Sequence, residues 1–193
     1  MPQVTDAFGS YSTSAGDFFK QLATGFQVTA SLVCDAQGIT VDGIGSSKGI
    51  GNLTDLALLV ALRRQAEVIL TSGATFRADE YRFPKSADLA VLTNKGVDIA
   101  VPTGHRLHQL NSSYVAAVED LRRLSYTRIH VEYGFNGISE LVNRRKLDAL
   151  VLSSPTRQGV PILAAKLGVN PVYIELNDLY VGLVAWQTDR LQS

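Results

Sequence analysis

An apolar run, Val68-Ile69-Leu70, passes straight into Ser72-Gly73-Ala74-Thr75, and Arg77 and Asp79 follow. Small residues at the carboxyl end of a buried strand let a ligand approach the backbone closely. Thr75 then offers a hydroxyl and Asp79 a carboxylate, a pair suited to cofactor phosphate or ribose. On local sequence alone, a Thr/Asp cap on a loop explains the two residues slightly better. A second stretch of the same kind, Ile129-His130-Val131-Glu132, leads into Tyr133-Gly134-Phe135-Asn136-Gly137. A glycine turn that opens a helix directs backbone N–H groups and the positive helix end at one place, which is an anion site. Glu132, at the strand's end, is placed for a polar ring or a sugar. A tight strand-to-helix turn is the plainer reading. Two strand-to-glycine crevices together suggest a nucleotide-sized ligand lying across a sheet.

Other residues with chemical potential carry weaker signals. In Gly45-Ser46-Ser47-Lys48-Gly49-Ile50, Ser47, Lys48 and backbone amides suit a phosphate, and a surface loop is an equal alternative. The order of residues is not that of a P-loop. Arg63 and Arg64 sit late on an expected helix. One is a candidate bidentate partner for a substrate phosphate, while Arg64 is better read as a solvated helix-end charge. Cys34 reads as a small core residue. His105, His108 and His130 lack metal-ligand spacing, so no metal site is expected, and no residue can be assigned as catalytic.

These residues need a frame to hold them. Residues 26–34 read as a buried strand, followed by a long glycine-rich loop to Gly51. Asn52 or Thr54 is expected to cap a helix reaching Arg64. Strands are expected at 66–71, 89–93 and 128–131, with a short one at 98–101. Helices are expected over 113–124 and 138–145, and a strand over 149–153. Segments 171–175 and 180–186 flank Asn177-Asp178, a hairpin signal. Residues 10–16 read as loop and 17–22 as a short amphipathic turn. The alternation predicts one domain over 1–193, with 1–25 as an N-terminal extension. Its class is α/β: a three-layer α/β/α sandwich with a mostly parallel sheet and a C-terminal antiparallel hairpin.

Lysine plus arginine and aspartate plus glutamate both number 18, so the chain has no global charge with which to attract nucleic acid. One cysteine excludes an intrachain disulfide framework and a cysteine zinc cage. No apolar run approaches the length of a membrane span, and no secretory leader is visible, so a cytoplasmic location and no membrane partner are expected.

Five stretches, taken in order, carry a resemblance. They are Phe26 to Gly38, Leu62 to Leu70, Ser72 to Glu80, Val131 to Gly134, and Leu147 to Pro155. Together they resemble the reductase (C-terminal) domain of the bifunctional riboflavin-biosynthesis deaminase–reductase, a dihydrofolate-reductase-like pyrimidine reductase family. The resemblance covers roughly Phe26 to Trp186. It implies NADPH-dependent reduction of a phosphorylated ribosylamino-pyrimidine to its ribityl form, by direct hydride transfer, in a homodimer. It puts Cys34, Gly49, Thr75, Asp79, Asn94 and Gly134-Phe135-Asn136-Gly137-Ile138 at the dinucleotide. Ser47, Arg63, Phe83 and Glu132 fall at the substrate. Lys95, beside Asn94, adds a cation able to select an adenosine 2′-phosphate. The C-terminal hairpin (Tyr173, Tyr180, Val181, Leu183, Trp186) is compatible with a dimer face or with core packing. Three positions depart from the family's pattern: Gln37 stands for its Asp, Tyr133 for a small residue and Tyr81 for a Pro. The zinc deaminase half is missing. The alternative is a divergent or non-catalytic dinucleotide-binding member of the same fold.

Overall fold

A computed structural model describes residues 26–43 and 45–186. The expectations for segments 10–16 and 17–22 lie outside the described residues. Eight strands and five helices follow in chain order: β1 (Val28–Val33), α1 (Leu53–Gln65), β2 (Val68–Ser72), α2 (Gly73–Ala78), β3 (Asp88–Leu92), β4 (Leu107–Leu110), α3 (Tyr114–Arg123), β5 (Ile129–Glu132), α4 (Phe135–Asn143), β6 (Ala149–Ser154), α5 (Gly159–Leu167), β7 (Val172–Leu176) and β8 (Leu179–Ala185).

The strands form one sheet in the order β4-β3-β2-β5-β1-β6-β8-β7. The first six are parallel; β8 runs antiparallel to both β6 and β7. From β1 the chain builds outward through β2, β3 and β4, then returns with β5 into the gap beside β1. That reversal opens a crevice at the carboxyl ends of β1 and β5, where open α/β sheets bind ligands.

The two faces differ because side chains alternate along a strand. On one face Val28, Ala30 and Leu32 of β1, Val131 of β5, and Leu150 and Leu152 of β6 enter the main core beneath α3, α4 and α5. The register puts Thr29, Ser31, His130 and Glu132 together on the other face. Helix α1 lies over that face. Its Leu58 and Leu62 pack on Val151, Ile174, Leu176, Leu179 and Val181. The result is helix, sheet, helix, as expected.

Local chemistry accounts for the details. Asn52, not Thr54, caps α1 by accepting from the Asp55 amide. Thr54 Oγ1 donates instead to the Asp178 carboxylate, and Asn52 Nδ2 donates to the Asp178 carbonyl at 2.9 Å, tying α1 to the hairpin turn. The strand expected over 98–101 does not form. Pro102 and a turn closed by the His105 amide interrupt it, and residues 107–110 pair with β3 instead. Helix α4 begins at Phe135, three residues earlier than expected. Helix α5 was not among the expected elements, and it contains Pro161. The proline falls in the first turn, where its missing N–H has no helical partner to lose.

Candidate active site

A cavity of about 740 Å³ opens at the β1/β5 crevice. Its floor is Ser31, Leu32 and Val33 of β1, Glu132 and the following turn, and Val151 and Ser153 of β6. Helix α1 forms one wall with Asp55, Leu58, Leu62 and Arg63; the loop before it, Thr75 and residues 79–82 complete the rim.

At one end Arg63 grips Glu132 bidentately, with Nε to Oε1 and Nη2 to Oε2 both at 2.6 Å. Tyr81 closes the group. Its hydroxyl donates to Glu132 Oε2 at 2.6 Å and accepts from Arg63 Nη2 at 2.9 Å. The guanidinium carbon lies 4.9 Å from the Tyr81 ring centre, a cation–π contact. Burial pushes the Glu132 carboxyl upward, but the Arg63 pair and the tyrosine hydroxyl outweigh it and hold it below the ordinary range. Burial likewise opposes the Arg63 charge, and Glu132 more than offsets it.

Beneath this cluster lies His130, fully buried. It shares hydrogen bonds with Thr29 Oγ1 at Nδ1 (2.8 Å) and with Ser31 Oγ at Nε2 (3.1 Å). Burial lowers its pKa to about 4 against the opposing pull of Glu132, so the ring is neutral at pH 7. At the other end of α1, Asp55 Oδ1 accepts from Ser153 Oγ at 2.6 Å. Burial raises the Asp55 pKa, and that one hydrogen bond only partly offsets it.

The expected site residues separate into groups. Ser47, Arg63, Thr75, Asp79, Glu132 and Gly134 line the cavity. Asp79 is occupied: it accepts from Ser46 Oγ (2.6 Å), the Ser47 amide (3.1 Å) and Ser47 Oγ (3.1 Å), pinning the loop before α1. Residues 73–78 form helix α2 rather than a loop, and the cap is Ser72, not Thr75. Ser72 Oγ accepts from the Thr75 amide at 3.1 Å and lies 3.0 Å from Thr75 Oγ1. Gly134 is the N-cap of α4 and makes no side-chain cap, so the amide end of that helix is left to other partners. Gly137 sits where an added Cβ would come within 2.8 Å of Tyr133, so glycine is what admits the tyrosine ring. Asn136 is exposed, and Phe135 and Ile138 pack toward the core. Asn94 and Lys95 are exposed at the carboxyl end of β3.

Nine expected residues are not part of the cavity lining: Asn94, Lys95 and residues 135–138, described above, and Cys34, Gly49 and Phe83. The Cys34 side chain is fully buried, and burial pushes its thiol up to about 12 despite a hydrogen bond from Ser154. Gly49 packs against Asp42. Phe83 packs beside His105, with ring centres 5.7 Å apart. The two departures at Tyr133 and Tyr81 also part company. Tyr133 turns away to pack on Tyr114, with its hydroxyl buried and unpartnered, whereas Tyr81 enters the site. Sequence reasoning missed Asp55, which reads there as an ordinary first-turn acid. The signal that marks its face is the alternate polar pattern of Thr29-Ser31 and His130-Glu132.

No sequence-family profile and no curated relative matches the chain. Solved structures do. A pyrimidine reductase-like protein from Corynebacterium diphtheriae aligns over 89% of this chain and 99% of its own, with TM-score 0.64 and 15% identity. The riboflavin biosynthesis reductase Rib7 of Saccharomyces cerevisiae aligns over 82% and 88%, with TM-score 0.57 and 13% identity. The Thermotoga maritima deaminase/reductase aligns over 82% of this chain and 56% of its own, with TM-score 0.56 and 15% identity. The chain has the fold of the riboflavin-pathway pyrimidine reductases. With that fold, the β1/β5 cavity lies where an open α/β sheet takes its ligand. Among the described residues, no helix is long and apolar enough to cross a membrane, and no cluster of metal-ligating side chains occurs.

Proposed function

We propose that this protein is an NADPH-dependent reductase that works in the β1/β5 cavity. The observation that carries the proposal is the pairing of two features in one cavity: the uncapped amide end of α4 at Gly134 and the partly buried carboxyl of Asp55, held by Ser153. The first fits the cofactor. Gly134 has open space where a side chain would stand, so a diphosphate can approach the amides of residues 135–137, ahead of the Ile138 amide that donates to the Gly134 carbonyl. Thr75 on the same rim, with Asn94 and Lys95 at the end of β3, extends this contact, and Lys95 is suited to an adenosine 2′-phosphate. A reduced nicotinamide, when bound, supplies a hydride.

The chain's own residues do the rest. Helix α1 and the pinned loop wall the floor on one side. Asp55, its proton held more tightly than an exposed aspartate's, donates that proton to the substrate nitrogen as hydride reaches the adjacent carbon. A C=N bond thereby becomes CH–NH. Ser153 orients the donor carboxyl, and Glu132, kept ionised by Arg63, aligns a polar ring. The substrate implied by the resemblance is the ribosylamino-pyrimidine phosphate, reduced to its ribityl form, and the homodimer goes with it.

The deciding experiment is a turnover assay with NADPH and that substrate, beside NADPH titration of Trp186 fluorescence. Saturable quenching and NADPH oxidation are expected. No binding of NADPH or NADH at millimolar concentration overturns the proposal.

A further inference from the structure

Ser31 on β1 and Glu132 on β5 both line the cavity, and both lie beside one nitrogen of the buried His130 ring. Its Nε2 stands 3.1 Å from Ser31 Oγ and 3.9 Å from Glu132 Oε1, while Nδ1 stands 2.8 Å from Thr29 Oγ1. The ring is neutral at pH 7, so one nitrogen carries a proton and the other accepts one. Glu132 is ionised, and a negative charge near Nε2 draws the single proton to that nitrogen. Nδ1 must then accept, and the Thr29 hydroxyl donates to it. Nε2–H in turn donates to Ser31 Oγ. The Ser31 proton is thereby left for donation elsewhere, and Ser31 faces the cavity. The opposite tautomer would turn that proton onto Nε2 and show the cavity only a lone pair.

Glu132 supplies the complement. Its Oε2 accepts from both Arg63 Nη2 and the Tyr81 hydroxyl. Among the described residues, Oε1 accepts from Arg63 Nε alone. A carboxylate oxygen has two lone pairs, so Oε1 keeps one for a ligand. A hydroxyl that gives a proton therefore neighbours a carboxylate oxygen that takes one. A ring lactam, in which C=O adjoins N–H, presents the matching edge. A site built on such a pair discriminates strongly against an analogue that lacks one partner, because its own polar group is then left unpaired.

We infer that Ser31 and Glu132 together read a lactam edge of the substrate ring, Ser31 donating to the carbonyl and Glu132 Oε1 accepting from the adjoining N–H, with His130 as the positioning residue that sets the sense of Ser31. The inference rests on the reductase reading for the kind of ring, and it adds Ser31, His130 and Thr29 to the residues that select it.

The test is calorimetric titration of the full chain, without cofactor, with 5,6-diaminouracil and with 5,6-diamino-1,3-dimethyluracil. The second compound keeps both carbonyls and has no ring N–H. The first is expected to bind roughly tenfold tighter or better. Equal binding, or binding of neither, overturns the inference. Ser31→Ala is expected to weaken 5,6-diaminouracil by about tenfold, and Ser31→Thr, which keeps a hydroxyl, to restore it, with NADPH affinity the same in both. Undiminished affinity for the ring in Ser31→Ala removes Ser31 from the explanation. Nitrogen NMR shifts of the His130 ring report its tautomer directly. Nε2–H is expected, and Nδ1–H overturns the role given to His130. Should Ser31→Ala fail to fold, the paired titration and the ring shifts of the unaltered chain still decide. A separate NADPH titration without signal overturns the reductase reading alone, since the two rings are compared without cofactor.

Discussion

The two ends of helix α1 hold opposite solutions to the same problem. Each brings a carboxyl into the cavity. At the last turn, Arg63 and Tyr81 surround Glu132 with donors, so the carboxylate stays ionised despite its burial. At the first turn, Asp55 has one serine hydroxyl as its side-chain partner, so burial prevails and lifts its pKa above the ordinary aspartate value. One cavity therefore holds two carboxyls whose pKa values move in opposite directions, separated by environment and not by residue type. Pairs of this kind assign acid and base roles that neither residue reveals alone.

The sharpest way to break this contrast is Arg63→Ala. It strands Glu132 in the interior, and removing one partner of a buried pair costs about 3–5 kcal/mol. Urea unfolding should show that loss, and a shift below 1 kcal/mol would mean that water reaches the pair freely. Next is Asp55→Asn, which keeps an acceptor for Ser153 but has no proton to give. Turnover should fall by about 100-fold, the lower range for loss of a general acid, with the fold intact. Tyr81→Phe leaves the ion pair in place and removes two charge-assisted hydrogen bonds, about 1.5–3 kcal/mol by equilibrium unfolding.

The smallest effect is the most discriminating, because the two carboxyls should respond to pH with opposite signs. Asp55 titrates above 3.8 in the folded chain, so the native state binds its proton more readily than the unfolded state does. Its cost is absent in acid and grows as pH rises from about 3.8 through the folded value. Asp55→Asn should gain stability relative to the parent over that window and then level off. Glu132 titrates below 4.5, so its contribution is complete above that pH and is lost as pH falls through its folded value. The deficit of Glu132→Gln should therefore shrink in acid. Unfolding curves taken at several pH values separate the two.

Much of this frame was legible in the chain, for reasons that differ by element. Strands β1, β2, β5 and β6 announce themselves because buried parallel strands are short, apolar runs ended by small residues. The β7–β8 hairpin follows from Asn177-Asp178, and Asn177 does adopt a positive φ of 54°. Helix α2 was hidden because Gly73 and Thr75 are poor helix formers, and only the Ser72 cap and close packing on Thr93 fix them. The site was half legible. Arg63 and Glu132 stand out by type, but their partnership spans 69 residues and no local pattern shows it. Asp79 looked like a ligand contact, and the hydroxyls that occupy it sit more than 30 residues earlier. Tyr81 registered only as a departure from the family's proline.

The tie between α1 and the hairpin turn has a consequence for how the chain is made. Asn52 and Thr54 must wait for Asp178, more than 120 residues later, before the start of the helix is tied to the hairpin. Its inner residues, Leu58 and Leu62, likewise await Leu179 and Val181. During synthesis an apolar helix is therefore left without its seat until nearly the whole described chain has emerged. Contacts so distant in sequence are slow to close, and unseated apolar surface is prone to self-association. A nascent chain that stops short of about residue 181 already carries every described residue that lines the cavity, yet lacks the seat of the helix that walls it.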